Sequence, residues 1–256
     1  MSYFATSARS AVGLVRSGNE DSALASSRLI AVADGMGGHA AGEIASKIAI
    51  SALVESAQIF VNPEIDTESA DDLFLNSIYA IDGALKNAVL EDPHLGGMGT
   101  TLTSLFLREN KVALLHIGDS RAYRLRGNSL EQLSVDHTVI QELLNQGVIS
   151  ESEIATHPQR SVLTQVLMGE GNLELPLPIF EGKVKDRYLV CSDGLSSVLS
   201  EKEIKSLIKG RDRDQAVGAL IDATYINGAP DNVTVVIADI VEETQPENFE
   251  KIGAAQ

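Results

Sequence analysis

The chain reads as an α+β fold, with antiparallel sheets covered by pairs of helices. Three observations carry that reading. Short runs of β-branched and apolar residues are bounded by turn signals, the mark of strands. Between them lie longer segments whose apolar residues recur at helical spacing, and these come two at a time. Strands therefore flank blocks of paired helices instead of alternating with single ones, which disfavours a doubly wound parallel sheet.

In chain order, 10–15 (SAVGLV) is a weak strand candidate and 28–33 (RLIAVA) a strong one. Segment 41–60 places Ile44, Ile48, Leu53 and Ala57 near one helical face, and 71–90 does so with Leu73, Phe74, Ile78, Ile81, Leu85 and Val89. Asn62-Pro63 marks 61–69 as the loop between these two antiparallel helices. A weak strand at 101–107, a strong one at 111–117 (KVALLHI) and a weak one at 122–125 follow. Segment 136–167 is polar, carries short helical turns at 139–146 and 151–156, and reads as a flap or small inserted subdomain. The strand 187–191 (RYLVC), helices at 201–208 and 214–225, and the strand 233–240 (VTVVIADI) complete a domain spanning 1–241. The remainder, 242–256 (EETQPENFEKIGAAQ), is expected to be an acidic tail or linker.

Composition narrows the function. Hydrophobic residues make up 44% of 256 positions, enough for a full core. Twenty Lys+Arg against 36 Asp+Glu give a formal charge of −16, which argues against nucleic acid and anionic membrane surfaces as partners. Cys191 is the one cysteine, so no intrachain disulfide or Cys-based zinc finger is available, and a reducing, cytoplasmic setting is expected. Its apolar surroundings favour an inert buried thiol. No apolar run reaches the ~18 residues of a membrane span, and residues 1–12 lack the order of a signal peptide.

Most acids are solvated surface groups, but a few are placed differently. Asp34 follows RLIAVA, Asp119 follows VALLHI and Gly118, Asp193 follows RYLVC and Ser192, and Asp231 stands just before VTVVIADI. Asp21 lies in Asn19-Glu20-Asp21, ahead of the first strong strand. Each alone suits a turn. Together, four of the five are acids at the ends of runs that read as separate buried strands, where side chains from distant sequence converge at the rim of a sheet. Clustered carboxylates repel unless cations or protons intervene, and a site of many carboxylates with few imidazoles or thiols suits a hard cation such as Mg²⁺ or Mn²⁺. Five histidines without His-Glu-x-x-His spacing give no sign of zinc.

The segment Gly35-Met36-Gly37-Gly38-His39-Ala40 also matches the dinucleotide pattern G-x-G-x-x-A. The required acid about 20 residues on, at a second strand's end, is missing, because Glu55 falls inside a helical run. Asp34 directly before the first glycine would repel a diphosphate. A P-loop is excluded, since Gly13-x-x-x-x-Gly18 is followed by Asn19-Glu20.

Read together, Arg16-Ser17-Gly18-Asn19-Glu20-Asp21, Asp34-Gly35-Met36-Gly37-Gly38-His39, Gly99-Thr100-Thr101, Gly118-Asp119-Ser120-Arg121, Ser192-Asp193-Gly194-Leu195 and Asp231-Asn232 resemble the metal-dependent serine/threonine protein phosphatases of the PP2C type. The match runs from about Arg16 to Ile240, in the family's order, and is nearest to its compact bacterial members. The resemblance implies a central β-sandwich of two antiparallel sheets flanked by helix pairs, with metals in a cleft at one end. It implies two Mn²⁺ or Mg²⁺ ions and a weaker third. Asp34 would bridge two ions and the Gly35 carbonyl would join the second. Asp193 and Asp231 would hold the first, and Asp119 with Asp193 the third, while Glu20 and Asp21 would act through bound water. The implied reaction is hydrolysis of phosphoserine and phosphothreonine by a metal-bridging water, with Arg16 gripping the phosphate. The expected partners are phosphorylated proteins, substrates of serine/threonine kinases, met by a monomer.

His39 is the candidate for protonating the departing oxygen, with a structural role in the Gly-rich turn as the alternative. His157 is a candidate substrate contact from 136–167. His116 reads as a core residue, His137 as part of a helix start with Asp136 as N-cap, and His94 as surface. Three other functions stay open: a non-catalytic phosphoprotein-binding module, a hydrolase of small phosphoesters or nucleotides, and a nicotinamide-binding enzyme resting on the Gly-rich loop.

Overall fold

In the computed structural model, which describes residues 2–38, 41–154, 157–171 and 173–256, the strands with continuous apolar runs are buried on both faces. The first half of the chain contributes β1 (Tyr3–Ala11), β2 (Asp21–Ala25), β3 (Leu29–Met36), α1 (Ala41–Phe60), α2 (Thr67–Glu91), β4 (Gly99–Thr100), β5 (Leu102–Arg108), β6 (Lys111–Ile117), β7 (Arg121–Arg126) and β8 (Ser129–Gln132). The second contributes α3 (Val139–Asn145), α4 (Glu151–Ile154), β9 (Ile179–Glu181), β10 (Arg187–Cys191), α5 (Asp193–Ser196), α6 (Glu201–Ile208), α7 (Arg213–Ile226), β11 (Val233–Val241) and β12 (Glu250–Gly253).

Two antiparallel sheets result. One has the order β1-β11-β10-β7-β8, the other β12-β2-β3-β5-β6-β9, with β4 pairing β3. Alternation along each strand divides the apolar residues between two layers. On β3, Ile30 and Val32 face the opposite sheet, while Leu29, Ala31 and Ala33 face α1 and α2. On β11, Val236, Ala238 and Ile240 face the opposite sheet, while Val233, Val235 and Ile237 face α6 and α7. The molecule is thus helix pair, sheet, sheet, helix pair, as expected. Cys191 lies on the helix-facing side of β10, and burial pushes its thiol up to about 12, so it remains protonated. Among the described residues no helix is long and apolar enough to cross a membrane.

Several expectations need correction. The first strand is Tyr3–Ala11 rather than 10–15. Its small and polar residues carry little strand signal, and a nine-residue register against β11 holds it. β2, rich in small residues, is likewise specified by its neighbours β3 and β12. Asp136 does not cap α3: Thr138 does, accepting the Gln141 N–H, while Asp136 receives the guanidinium of Arg121. The segment 242–256 is not simply a tail or linker. Its last residues form β12, Lys251 Nζ donates to Ser51 Oγ on α1 at 3.0 Å, and Ile252 and Ala255 are buried. The acidic composition conceals this because only alternate residues of an edge strand need be apolar.

Ile252 sits between the sheets. Ile252→Ala is expected to destabilise the fold by about 2 kcal/mol, the low end for an aliphatic truncation. The measurement is the urea midpoint at unchanged slope; an unmoved midpoint would mean that β12 contributes nothing.

Candidate metal centre

At one end of the sandwich the side chains between the sheets change from apolar to polar. Along β3 they run Ile30, Val32, Asp34, and along β2 they run Ala25, Ala23, Asp21. The register places Asp21 opposite Asp34. The same face of the other sheet continues from Val190 to Ser192 and from Val236 back to Thr234. Ser192 Oγ donates to Asp21 Oδ2 at 2.7 Å and accepts the Thr234 N–H at 3.0 Å. Asp193 follows β10, Asp231 precedes β11 and Asp119 follows β6, so all three arrive at this end.

Neutral neighbours hold the turns. Asn232 Oδ1 accepts the Glu20 N–H at 2.9 Å, and its Nδ2 donates to Val12 O and Gly18 O, both at 2.8 Å, stitching the Arg16–Glu20 loop to the start of β11. Thr101 N–H donates to Asp34 O at 2.9 Å, its Oγ1 accepts the Asp34 N–H at 3.0 Å, and the same oxygen bonds Ser120 Oγ at 2.8 Å. A Cβ on Gly35 would lie 2.0 Å from Gly42 O, so glycine alone lets the exit of β3 lie against the first turn of α1. Sequence reasoning does not single out Ser192, Thr101 or Asn232 for these tasks. Their signal is position, since Ser192 and Asn232 each stand beside an acid within a motif and Thr101 lies in the motif Gly99-Thr100-Thr101.

The five aspartates form one electrostatic group. Burial first, and then the charges of Asp21, Asp193, Asp119 and Asp231, push Asp34 well above the usual carboxylate range. Burial pushes Asp21 and Asp119 up to about 7 and raises Asp193 and Glu20. Asp193 stands within hydrogen-bonding reach of Asp34. Arg16 reaches in from the mouth, its side chain half exposed, and donates from one terminal nitrogen to Asp231 Oδ2 at 2.7 Å.

His39 lies outside the described residues. His157 is engaged locally, its Nδ1 accepting the Gln159 N–H at 3.2 Å. His116 is buried, as expected.

The donor set fits a hard cation. Asp21 is 1% exposed, and its Oδ1 is buried without a hydrogen-bond partner among the described residues. An ionised carboxylate in that state is costly, and a divalent ion or its water relieves it. Among the described residues no three His, Cys, Asp or Glu side chains stand in a finished chelate. Instead Asp193 reaches Asp34, Asp21 meets Ser192 and Asp231 meets Arg16.

The family model for protein phosphatase 2C matches residues 19–215, more than half of the chain. The chain belongs to the protein phosphatase 2C family. It is 43% identical over 246 residues to the serine/threonine protein phosphatase PstP of Mycobacterium tuberculosis, a match that covers 93% of this chain and 46% of the relative. The chain thus spans about half the length of that curated relative. A crystal structure of the Mycobacterium tuberculosis phosphatase PstP/Ppp superposes with a TM-score of 0.86 at 41% identity, covering 93% of this chain and 98% of that one. A structure of the PstP catalytic domain in complex with two manganese ions superposes equally well, at 0.86 and 39% identity, covering 94% and 100%. These likenesses place the sandwich described above among solved phosphatase 2C folds.

The raised carboxyls of this phosphatase 2C chain make its stability depend on pH. Unfolding returns them to near 4, so between about pH 4 and 7 the folded state holds the extra protons, and stability falls as pH rises through that window. Burial lowers His116 to about 4 and also lowers His137, which acts in the opposite sense below 6.5. The carboxyl effect is therefore read above that value. In chelator, the melting temperature is expected to fall from about pH 6.5 to 8, and Mn²⁺ to raise it more at the higher pH, where fewer protons compete for the oxygens. A melting temperature indifferent to Mn²⁺ at about pH 8 would count against a metal centre here.

Proposed function

We propose that this chain is a metal-dependent serine/threonine protein phosphatase. The observation that carries the reading is the cluster of carboxyls at the end of the sandwich, which cannot hold its full charge alone and includes the buried Asp21 Oδ1, without a hydrogen-bond partner among the described residues. The two manganese ions in the catalytic domain of PstP support it. Asp34, the Gly35 carbonyl, Asp193 and Asp231 are the proposed ligands of two Mn²⁺ or Mg²⁺ ions, with Asp119 and Asp193 at a weaker third site and Glu20 and Asp21 behind bound water. Once bound, such ions supply positive charge and lower the pKa of water, which suits hydrolysis of a phosphate monoester.

The chain's own groups supply the rest. Arg16 presents a planar fork at the mouth, and its half-exposed contact with Asp231 leaves it free to receive two phosphate oxygens. His39 is the proposed proton donor to the departing serine or threonine oxygen. Segment 136–167 is proposed as a flap bordering the site, from which His157 contacts the substrate. We place the protein in the cytoplasm as a monomer acting on phosphoproteins.

Hydrolysis of a phosphothreonine peptide is expected to require Mn²⁺ or Mg²⁺ and to stop in EDTA; undiminished turnover in chelator would refute the reading. Asp193→Asn is expected to remove turnover while circular dichroism stays native. Arg16→Ala is expected chiefly to raise KM, and a pure loss of kcat would speak against a phosphate grip. His39→Ala is expected to slow phosphothreonine hydrolysis far more than that of p-nitrophenyl phosphate, whose leaving group departs without a proton; equal slowing would remove His39 from the role.

A further inference from the structure

Where segment 136–167 leaves the sandwich, one residue grips the turn that carries Asp119. The main-chain N–H of His137 donates to Gly118 O at 2.8 Å, and its ring Nδ1 accepts the Gly118 N–H at 3.1 Å. Its carbonyl accepts the Thr164 N–H at 2.9 Å, from the returning limb of the same segment. His137 thus joins the departing limb, the returning limb and the residue just before Asp119.

The turn has little freedom to adjust. Gly118 has a φ of +104°, and a Cβ there would fall 2.5 Å from the Thr101 side chain. Its N–H lies past the end of β6, beyond the Leu102–Ile117 pair, so an imidazole nitrogen takes the place of a strand partner. The ring accepts at Nδ1, so that nitrogen carries no proton. Half-burial lowers the pKa of His137, which keeps the ring in this form.

One ring packs against His137, and charged groups hold the chain on either side of it. The His116 ring lies 4.9 Å away at 31°, and its Nε2 donates to Val135 O at 3.0 Å. Arg121 clamps the preceding Asp136 through both carboxyl oxygens, at 2.6–3.0 Å, and Gln132 Nε2 adds a bond at 3.2 Å. Farther along, the buried Asp82 of α2 accepts the N–H groups of Gly169 and Gly171 at 2.7 and 2.8 Å, so the returning limb is anchored as well.

We propose that His137 is a positioning residue whose ring and main chain tie the placement of Asp119 to the docked state of segment 136–167. A displacement of that segment is then felt at Asp119, and occupation at Asp119 in turn holds the segment down. The metal half of this coupling rests on the function proposed above; the link between the segment and the turn does not.

The test compares His137→Asn with His137→Gln in the full chain. The shorter amide places its oxygen near the position of Nδ1, whereas the longer one carries it past. Hydrogen exchange without metal is expected to speed up about tenfold or more in peptides covering 115–120 and 136–167 of His137→Gln, with 233–241 unchanged, and to stay near wild type in His137→Asn. Mn²⁺ titration followed by electron paramagnetic resonance is expected to show the weakest site loosened at least about tenfold in His137→Gln and restored in His137→Asn. Exchange at 115–120 that matches wild type in both variants, or that rises across the whole chain equally in both, would overturn the proposal. If wild type binds no Mn²⁺ while His137→Gln still loosens both peptides, the coupling stands and the metal reading falls.

Discussion

Five aspartates drawn to one end of a β-sandwich set the terms for the rest of this molecule. Two unit charges about 4 Å apart repel by about 4 kcal/mol at an effective dielectric of 20, and desolvation adds to that. Burial and mutual repulsion raise the pKa of Asp21, Asp34, Asp119 and Asp193, which favours their protonated forms, and a guanidinium stands at the mouth. A phosphate dianion has no place in such a cleft until cations reverse its field. In the proposed function, cation binding and phosphate binding are therefore linked by charge.

Rigidity around the group comes from neutral side chains. Ser192, Thr101 and Asn232 each bind the backbone or carboxyl of a different element, so the strand ends are tied to one another without adding charge. The two arginines nearest the group contrast with them and with each other. Arg121 makes several bonds to Asp136 and one to Tyr123, which locks it in place. Among the described residues Arg16 makes one side-chain bond, from an exposed position, and is the one able to exchange partners. The number of bonds, more than the residue type, separates a structural guanidinium from one that can meet a ligand.

Much of the scaffold was legible because burial on both faces leaves a strong mark. The runs that became β6, β10 and most of β11 had no polar alternation to confuse them, and α1 and α6 ended where the pattern ended. β1, β2 and β12 were hidden for the opposite reason. Their small, polar or charged residues become strands only because a neighbour offers its unpaired backbone, an interaction between segments far apart in the chain. The role of Asp136 was misread in the same way, since its partner Arg121 belongs to another strand.

The sequence by itself determined the donor chemistry: many carboxylates, few imidazoles, one thiol, and an acid at the end of each buried run. Covalent identity settles which atoms can hold a hard cation, and alternation settles which strands are interior. Tertiary structure decided which oxygen of Asp21 lacks a partner, which hydroxyl holds the other, and that His137 grips the turn before Asp119. Those are matters of angle and of tenths of an ångström between segments brought together by register. No one-dimensional pattern encodes them, because a hydrogen bond depends on where both partners end up.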